Sequence, residues 1–161
     1  MPSLGQLAAQ VRVRRVLADE ALLLGALHLQ ALRRAGVSPE PGEPSHVGAF
    51  AQAWSEGAAR LPAWVAEASG QHVGLVVCRV AELPRVGPGV PEIVLLAPLE
   101  SEGVGAEAVA LALVREVVSW AREAGHPGVD VAVGVVVPAS VLDAARADVT
   151  QRRQVALPTT A

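Results

Sequence analysis

The residues best placed to do chemistry lie in Glu100-Ser101-Glu102-Gly103-Val104-Gly105, between a short apolar run and the longest amphipathic stretch of the chain. A Gly-x-Gly turn feeding a helix presents backbone N–H groups at the positive end of the helix dipole, and glycine lets an anion come close to the backbone. Glu102, Gly103, Val104, Gly105 and Ala106 would present those groups here, to an anion such as a diphosphate. The same pattern also describes an ordinary tight turn between strand and helix. Glu100 and Glu102 bear on the choice. Pointed inward, the two carboxylates would repel a diphosphate by ~1–3 kcal/mol in total; they equally suit a helix N-terminus that carries no ligand.

Other reactive side chains are few. The chain has no Lys, Asn or Tyr, and all 13 basic residues are Arg, a bias expected of a GC-rich genome. Lysine Schiff-base chemistry and tyrosine acids are therefore excluded. His28 falls in a helical stretch and could line a cleft, although a helix-face or partly buried histidine is the commoner outcome. His72 follows a turn, and His46 and His126 fall in loops; no spacing among them makes a metal site. Cys78, inside an apolar run, reads as a small buried hydrophobe. Trp54 and Trp64 read as core residues, Trp54 with a possible role in a pocket wall, and Trp120 as core.

The elements that must position these groups follow from periodicity and punctuation. Val11, Val13 and Val16 mark a first strand. Asp19 stands where a helix N-cap belongs, and that helix ends at Gly36, with a proline-rich loop to Ser45. Ser45 opens a second helix carrying Val47, Phe50, Ala53 and Trp54 on one side, ending near Gly57. Ser69-Gly70 joins two β-prone runs as a hairpin. Residues 92–97 form a buried strand, and the long helix after Gly105 turns Val109, Ala112, Leu113, Val117 and Trp120 to a core. Residues 129–137 read as another buried strand, 141–149 as a short helix with Ser140 as its cap, and 155–157 as a last strand. The expected order is β-α-α-β-β-β-α-β-α-β, an α+β (α/β) fold with a mixed, mostly antiparallel sheet flanked by helices.

Composition narrows the function classes. With 52% hydrophobic and 18% charged residues, the 161-residue chain can bury one core and is not disordered. A net charge of −3 argues against a nucleic-acid binder. Every apolar run is broken before the ~18 residues a membrane span needs. The first ten residues lack the features of a signal peptide, and a single cysteine fits a reducing compartment, so a cytoplasmic protein is expected.

The order of elements resembles the GCN5-related N-acetyltransferase (GNAT) superfamily, in four places over residues 11–150. Val11–Arg15 followed by Ala18-Asp19-Glu20 is similar to the family's first strand and helix start. Trp64–Gly74 is similar to its second and third strands, and Glu92-Ile93 to the start of its fourth. Glu100–Gly105 falls on its Arg/Gln-x-x-Gly-x-Gly/Ala acyl-CoA motif. The resemblance implies a single domain over residues 1–161 that binds acetyl-CoA and acetylates a small-molecule amine, with 1–10 and 151–161 as terminal segments. It implies that Leu95, Leu96 and Ala97 pair with pantetheine as an extra strand would, with Val133–Val135 across the gap. It also implies Glu92 as general base, directly or through water.

Departures from the pattern favour a second reading. Glu100 replaces the motif's Arg or Gln, Ser140 stands at the family's Asn, and Ala147 stands at the tyrosine acid. Only 13 residues follow Asp148, fewer than two closing strands need. An open sheet edge, and hence a homodimer, is expected. The alternative to an acetyltransferase is a catalytically silent acetyltransferase-like domain serving as a binding or oligomerisation module.

Overall fold

The computed structural model describes residues 1–41, 44–80 and 89–146. Its frame is one five-stranded sheet in the order β1-β2-β3-β4-β5. The strands are β1 (Arg12–Arg15), β2 (Ala63–Ala68), β3 (Gln71–Arg79), β4 (Glu92–Pro98) and β5 (Asp130–Val131). The first four run antiparallel and β5 joins β4 in parallel. The helices are α1 (Leu4–Ala8), α2 (Ala21–Arg34), α3 (His46–Gly57), α4 (Ala106–Glu123) and α5 (Ala139–Ala144).

Alternation along the strands divides the core in two. Trp64, Ala66, Val76, Cys78 and Ile93 pack with Val109, Leu113 and Val117 of α4. Val65, Leu75, Val77 and Ala97 pack on the other face with Leu24 and Leu27 of α2 and Ala51 and Trp54 of α3. The central strands are thus buried on both sides, which explains their nearly continuous apolar character. Cys78 is fully buried and its thiol is pushed up to about 12 by that burial, as befits an inert core residue.

Local signals place several boundaries as expected. Ser45 caps α3, its Oγ accepting the Gly48 N–H at 3.3 Å. Gly36 (φ +74°) ends α2, and Ser69 and Gly70 (φ +50° and +75°) turn the β2–β3 hairpin. Asp19 is not the cap of α2. Residues Ala18–Glu20 form a 3₁₀ turn in which Glu20 accepts the Leu17 N–H at 2.9 Å and both outer nitrogens of Arg14 at 2.8 Å. Arg14 Nε also donates to Glu67 at 2.8 Å, tying the turn to β2.

Four further expectations change. A short helix, α1, precedes β1, built by a reciprocal Ser3–Gln6 capping box. The strand expected over 129–137 stops after Val131, because Gly134 (φ +90°) and a Val135 N–H to Ala132 carbonyl bond of 3.1 Å turn the chain away. Ser140 is inside α5 rather than its cap, and its Oγ donates to Glu107 at 2.7 Å, joining α5 to the first turn of α4. Trp120 is half-buried, its ring edge-on to Trp64 at 5.1 Å, with the Arg15 guanidinium 5.7 Å from it. The expected strand at 155–157, Ala147 and most of the 83–89 loop lie outside the described residues.

Candidate active site

A one-residue irregularity in β4 opens the site. Val77 of β3 faces Leu95 and Cys78 faces Ile93, so Val94 is an extra residue, a β-bulge. Val94 and Leu95 consequently both pack toward α2 and α3. Immediately before the bulge, β5 makes its last bonds to β4, Asp130 N–H to Pro91 and Ala132 N–H to Ile93, at 2.8 and 2.9 Å. It then turns off at Gly134.

The divergence leaves a cleft of about 630 Å³ between Val94–Pro98 of β4 and residues 133–136, closed from α2 by His28, Ala31, Leu32 and Ala35. Leu95, Leu96 and Ala97 line it, as do Val133 and Val135. Beyond Ile93 the outer edge of β4 has no strand partner among the described residues. An extended chain with amide groups can pair there as an added strand does.

Past the cleft, Ser101 and Val104 exchange backbone bonds of 3.0 and 3.1 Å around Gly103, whose φ of +81° suits glycine. The Val104 N–H is therefore used within the turn, and Val104 itself is buried. Gly105 is the N-cap of α4, with φ −75° and ψ 158°. Ser3 and Ser45 cap α1 and α3 at nearly the same angles, each with a side-chain acceptor. Gly105 supplies none, and a Cβ there would meet nothing within 4 Å. With Ala108 bonded to the Gly105 carbonyl at 3.0 Å, the N–H groups of Ala106 and Glu107 are left as the unsatisfied donors of an 18-residue helix. Ser101 Oγ is buried in this turn without a hydrogen-bond partner.

The two carboxylates of the turn, Glu100 and Glu102, are both exposed to solvent. Arg34, at the end of α2, donates to the Glu100 carbonyl at 2.9 Å and brings a guanidinium to this mouth. Gly74 allows α4 to settle close over β3 and β4: a Cβ there would lie 2.9 Å from Val109 and 3.1 Å from the Ala97 carbonyl.

Glu92 stands at the start of β4 beside the cleft, two residues before its first lining residue, with its carboxylate held by Arg79. The group that does face the cleft is His28. Its Nδ1 lies 3.1 Å from His46 Nε2, and its ring centroid is 4.9 Å from that of Phe50. Burial, and then the neighbouring His46, push the His28 imidazole below its ordinary value, so it is neutral at neutral pH. His46 is not a loop residue but the first of α3. The pairing depends on Gly25, where a Cβ would sit 2.6 Å from the Val47 carbonyl. Helical periodicity places His28 on a face of α2; nothing local indicates that a residue 18 positions on would meet it.

A smaller cavity of about 200 Å³ adjoins the cleft through Val94 and Leu95, walled otherwise by Phe50, Ala53, Trp54, Leu61 and Val77. Trp54 is fixed there by its Nε1 bond to the Leu61 carbonyl, 2.8 Å. Among the described residues no three His, Cys, Asp or Glu side chains gather as a metal site would require, and no helix is long and apolar enough to cross a membrane.

No family model matches the chain, and no curated protein matches it in sequence. Solved structures do match in fold. A predicted acetyltransferase with acetyl-CoA from Clostridium acetobutylicum superposes with a TM-score of 0.66 at 14% identity, over 91% of this chain and 96% of that one. The ribosomal-protein-alanine N-acetyltransferase of Brucella melitensis gives 0.66 at 16% identity, over 92% and 98%. An aminoglycoside acetyltransferase from an uncultured soil metagenomic sample, in complex with sisomicin, gives 0.63 at 16%, over 96% and 98%. This chain's mixed five-stranded sheet flanked by helices is thus a fold that it shares with these solved acetyltransferase structures.

Proposed function

We propose that the protein is an N-acetyltransferase that takes an acetyl group from acetyl-CoA and passes it to a small-molecule amine. The observation that carries this reading is the succession of two features along one stretch of chain. The cleft is lined by β4 as far as Pro98, and seven residues on Gly105 begins α4 as the one among these three N-caps without a side-chain acceptor. Pantetheine amides would pair along Leu95, Leu96 and Ala97. The diphosphate would take the N–H groups around Glu102, Gly103, Gly105 and Ala106, with Val104 shaping the turn from inside. Arg34 offsets the exposed Glu100 and Glu102.

The chemistry is attack of a neutral amine on the thioester carbonyl, removal of the ammonium proton, and departure of the CoA thiolate. Glu92 is the carboxylate proposed from the sequence for that proton. Held by Arg79 outside the cleft lining, it would act through an intervening water. Glu92→Gln tests this: a fall in kcat at unchanged acetyl-CoA affinity supports Glu92, and an unchanged kcat removes it from the proton step.

The reading as a whole is tested by calorimetric titration with acetyl-CoA and with CoA. Micromolar binding is expected. Absence of binding up to millimolar ligand, in protein shown to be folded, would overturn it in favour of a silent acetyltransferase-like domain.

A further inference from the structure

We infer that the acceptor is a monoamine carrying a single apolar group, which occupies the Phe50–Trp54 cavity, and that its ammonium proton passes to His28, which His46 positions and which lines the cleft, in place of Glu92, which does not. The inference rests on the acetyltransferase reading and concerns the acceptor half of the same site.

Two observations meet at one place. The small cavity is walled entirely by apolar side chains, and its volume of about 200 Å³ suits one ring or a short branched chain. A polycation would need carboxylates to replace its lost hydration, and this cavity offers none. Val94 and Leu95, brought to one face by the bulge, form its wall on one side and the thioester cleft on the other. An amine whose apolar end is in the cavity therefore presents its nitrogen at the seam. Phe50 walls the cavity, and its ring lies 4.9 Å from that of His28, which lines the cleft.

The histidine pair fits the proton step. His28 Nδ1 and His46 Nε2 lie 3.1 Å apart, and in the tautomer whose Nδ1–H donates across that distance the lone pair is on His28 Nε2. The amine nitrogen bonds to the carbonyl carbon, whose π pair moves to oxygen, and the resulting ammonium gives its proton to Nε2. The oxygen pair then reforms the carbonyl and the C–S bond breaks. The thiolate leaves and recovers the proton from the imidazolium through solvent, so the products are an amide and CoA. The imidazolium keeps its Nδ1–H bond to His46 Nε2.

The test measures thiol release from acetyl-CoA with 2-phenylethylamine and with spermidine, alongside calorimetric acetyl-CoA binding. Expected is a kcat/KM at least about tenfold higher for 2-phenylethylamine. Ala53→Trp, on an exposed position at the cavity wall, should raise its KM with acetyl-CoA affinity unchanged. His28→Gln should lower kcat by about 100-fold or more at unchanged acetyl-CoA affinity. His46→Ala should lower kcat about tenfold with little change in KM, and His46→Gln, which returns an acceptor near the place of Nε2, should restore most of it. Equal or better use of spermidine overturns the inference, as does a His28→Gln enzyme within threefold of wild type. Binding of acetyl-CoA without turnover of either amine overturns this inference and leaves the acetyltransferase reading standing. Absence of acetyl-CoA binding overturns both.

Discussion

Replacing Gly105 by serine should make the protein more stable and a poorer ligand-binder at the same time. Gly105 has φ −75° and ψ 158°, against −59° and 160° at Ser45, whose Oγ accepts an N–H of the first turn of α3 at 3.3 Å. A Cβ at Gly105 meets nothing within 4 Å, so serine enters without a clash and with its oxygen placed to cap α4. Serine exceeds glycine at an N-cap by a few tenths of a kcal/mol. Removing glycine's freedom from the unfolded chain adds roughly 0.4–1 kcal/mol. The sum, about 1 kcal/mol, corresponds to a rise in Tm of roughly 2–4 °C for a domain of this size. Ligand binding moves the other way. Placed as Ser45 places its own, the new oxygen meets the Ala108 N–H and fills the space beside the Ala106 and Glu107 N–H groups that a diphosphate would enter. Losing one charge-assisted hydrogen bond of about 2 kcal/mol weakens acetyl-CoA binding by about 30-fold. Thermal melts and calorimetry on the same preparation read both effects. A higher Tm with unchanged acetyl-CoA affinity would refute the placement of the diphosphate at this helix end. A lower Tm would refute the capping geometry.

Other consequences are as direct. Gly25→Ala drives a Cβ to within 2.6 Å of the Val47 carbonyl, and should cost about 1–3 kcal/mol in urea melts as α2 and α3 are forced apart. Glu20 is held down to about 2 by Arg14 and the Leu17 N–H, against an ordinary 4.5, so its stabilisation is present above pH 4.5 and is lost as pH falls through 2. Solvent screens the pair, so the effect is on the order of 1 kcal/mol; urea melts from pH 6 to 2.5 should show it, and Glu20→Gln should flatten that slope. Glu100→Arg adds two units of positive charge beside the mouth and should tighten acetyl-CoA several-fold at low salt, fading as the ionic strength in the titration rises.

How much of this was legible in the sequence depends on how local each feature is. Ser45, Gly36 and Ser69-Gly70 act on the residues beside them, and the boundaries they mark appear where expected. The Gly-x-Gly turn before α4 is equally local. The valines after Val129 carry strand propensity as strongly as those of β3. Only the actual pairing shows that two residues of the run join the sheet before Gly134 turns it. Asp19 is a good capping residue in the right place. It does not act as one because Ala18–Glu20 form a 3₁₀ turn and α2 starts after Glu20, whose carboxylate turns back to Arg14 and the Leu17 N–H and leaves α2 without a side-chain cap. The His28–His46 pair is less legible still, since it depends on Gly25 letting two helices touch.

The bulge at Val94 connects these features into one site. In a regular β4 opposite β3, consecutive side chains would alternate, and Val94 and Leu95 could not both face α2 and α3. Deleting one residue there would slip the rest of the strand by one position and exchange its faces, sending Leu96 toward α2 and Ala97 toward α4. It would also draw Pro98 and the Ser101–Val104 turn back by one residue, beside Gly74, where an added Cβ would already lie 2.9 Å from Val109. The single extra residue thus sets the shared wall of both cavities. It also sets the length of strand that delivers the chain to the α4 N-terminus. Divergence of β5 opens the cleft, but the bulge decides which side chains line it.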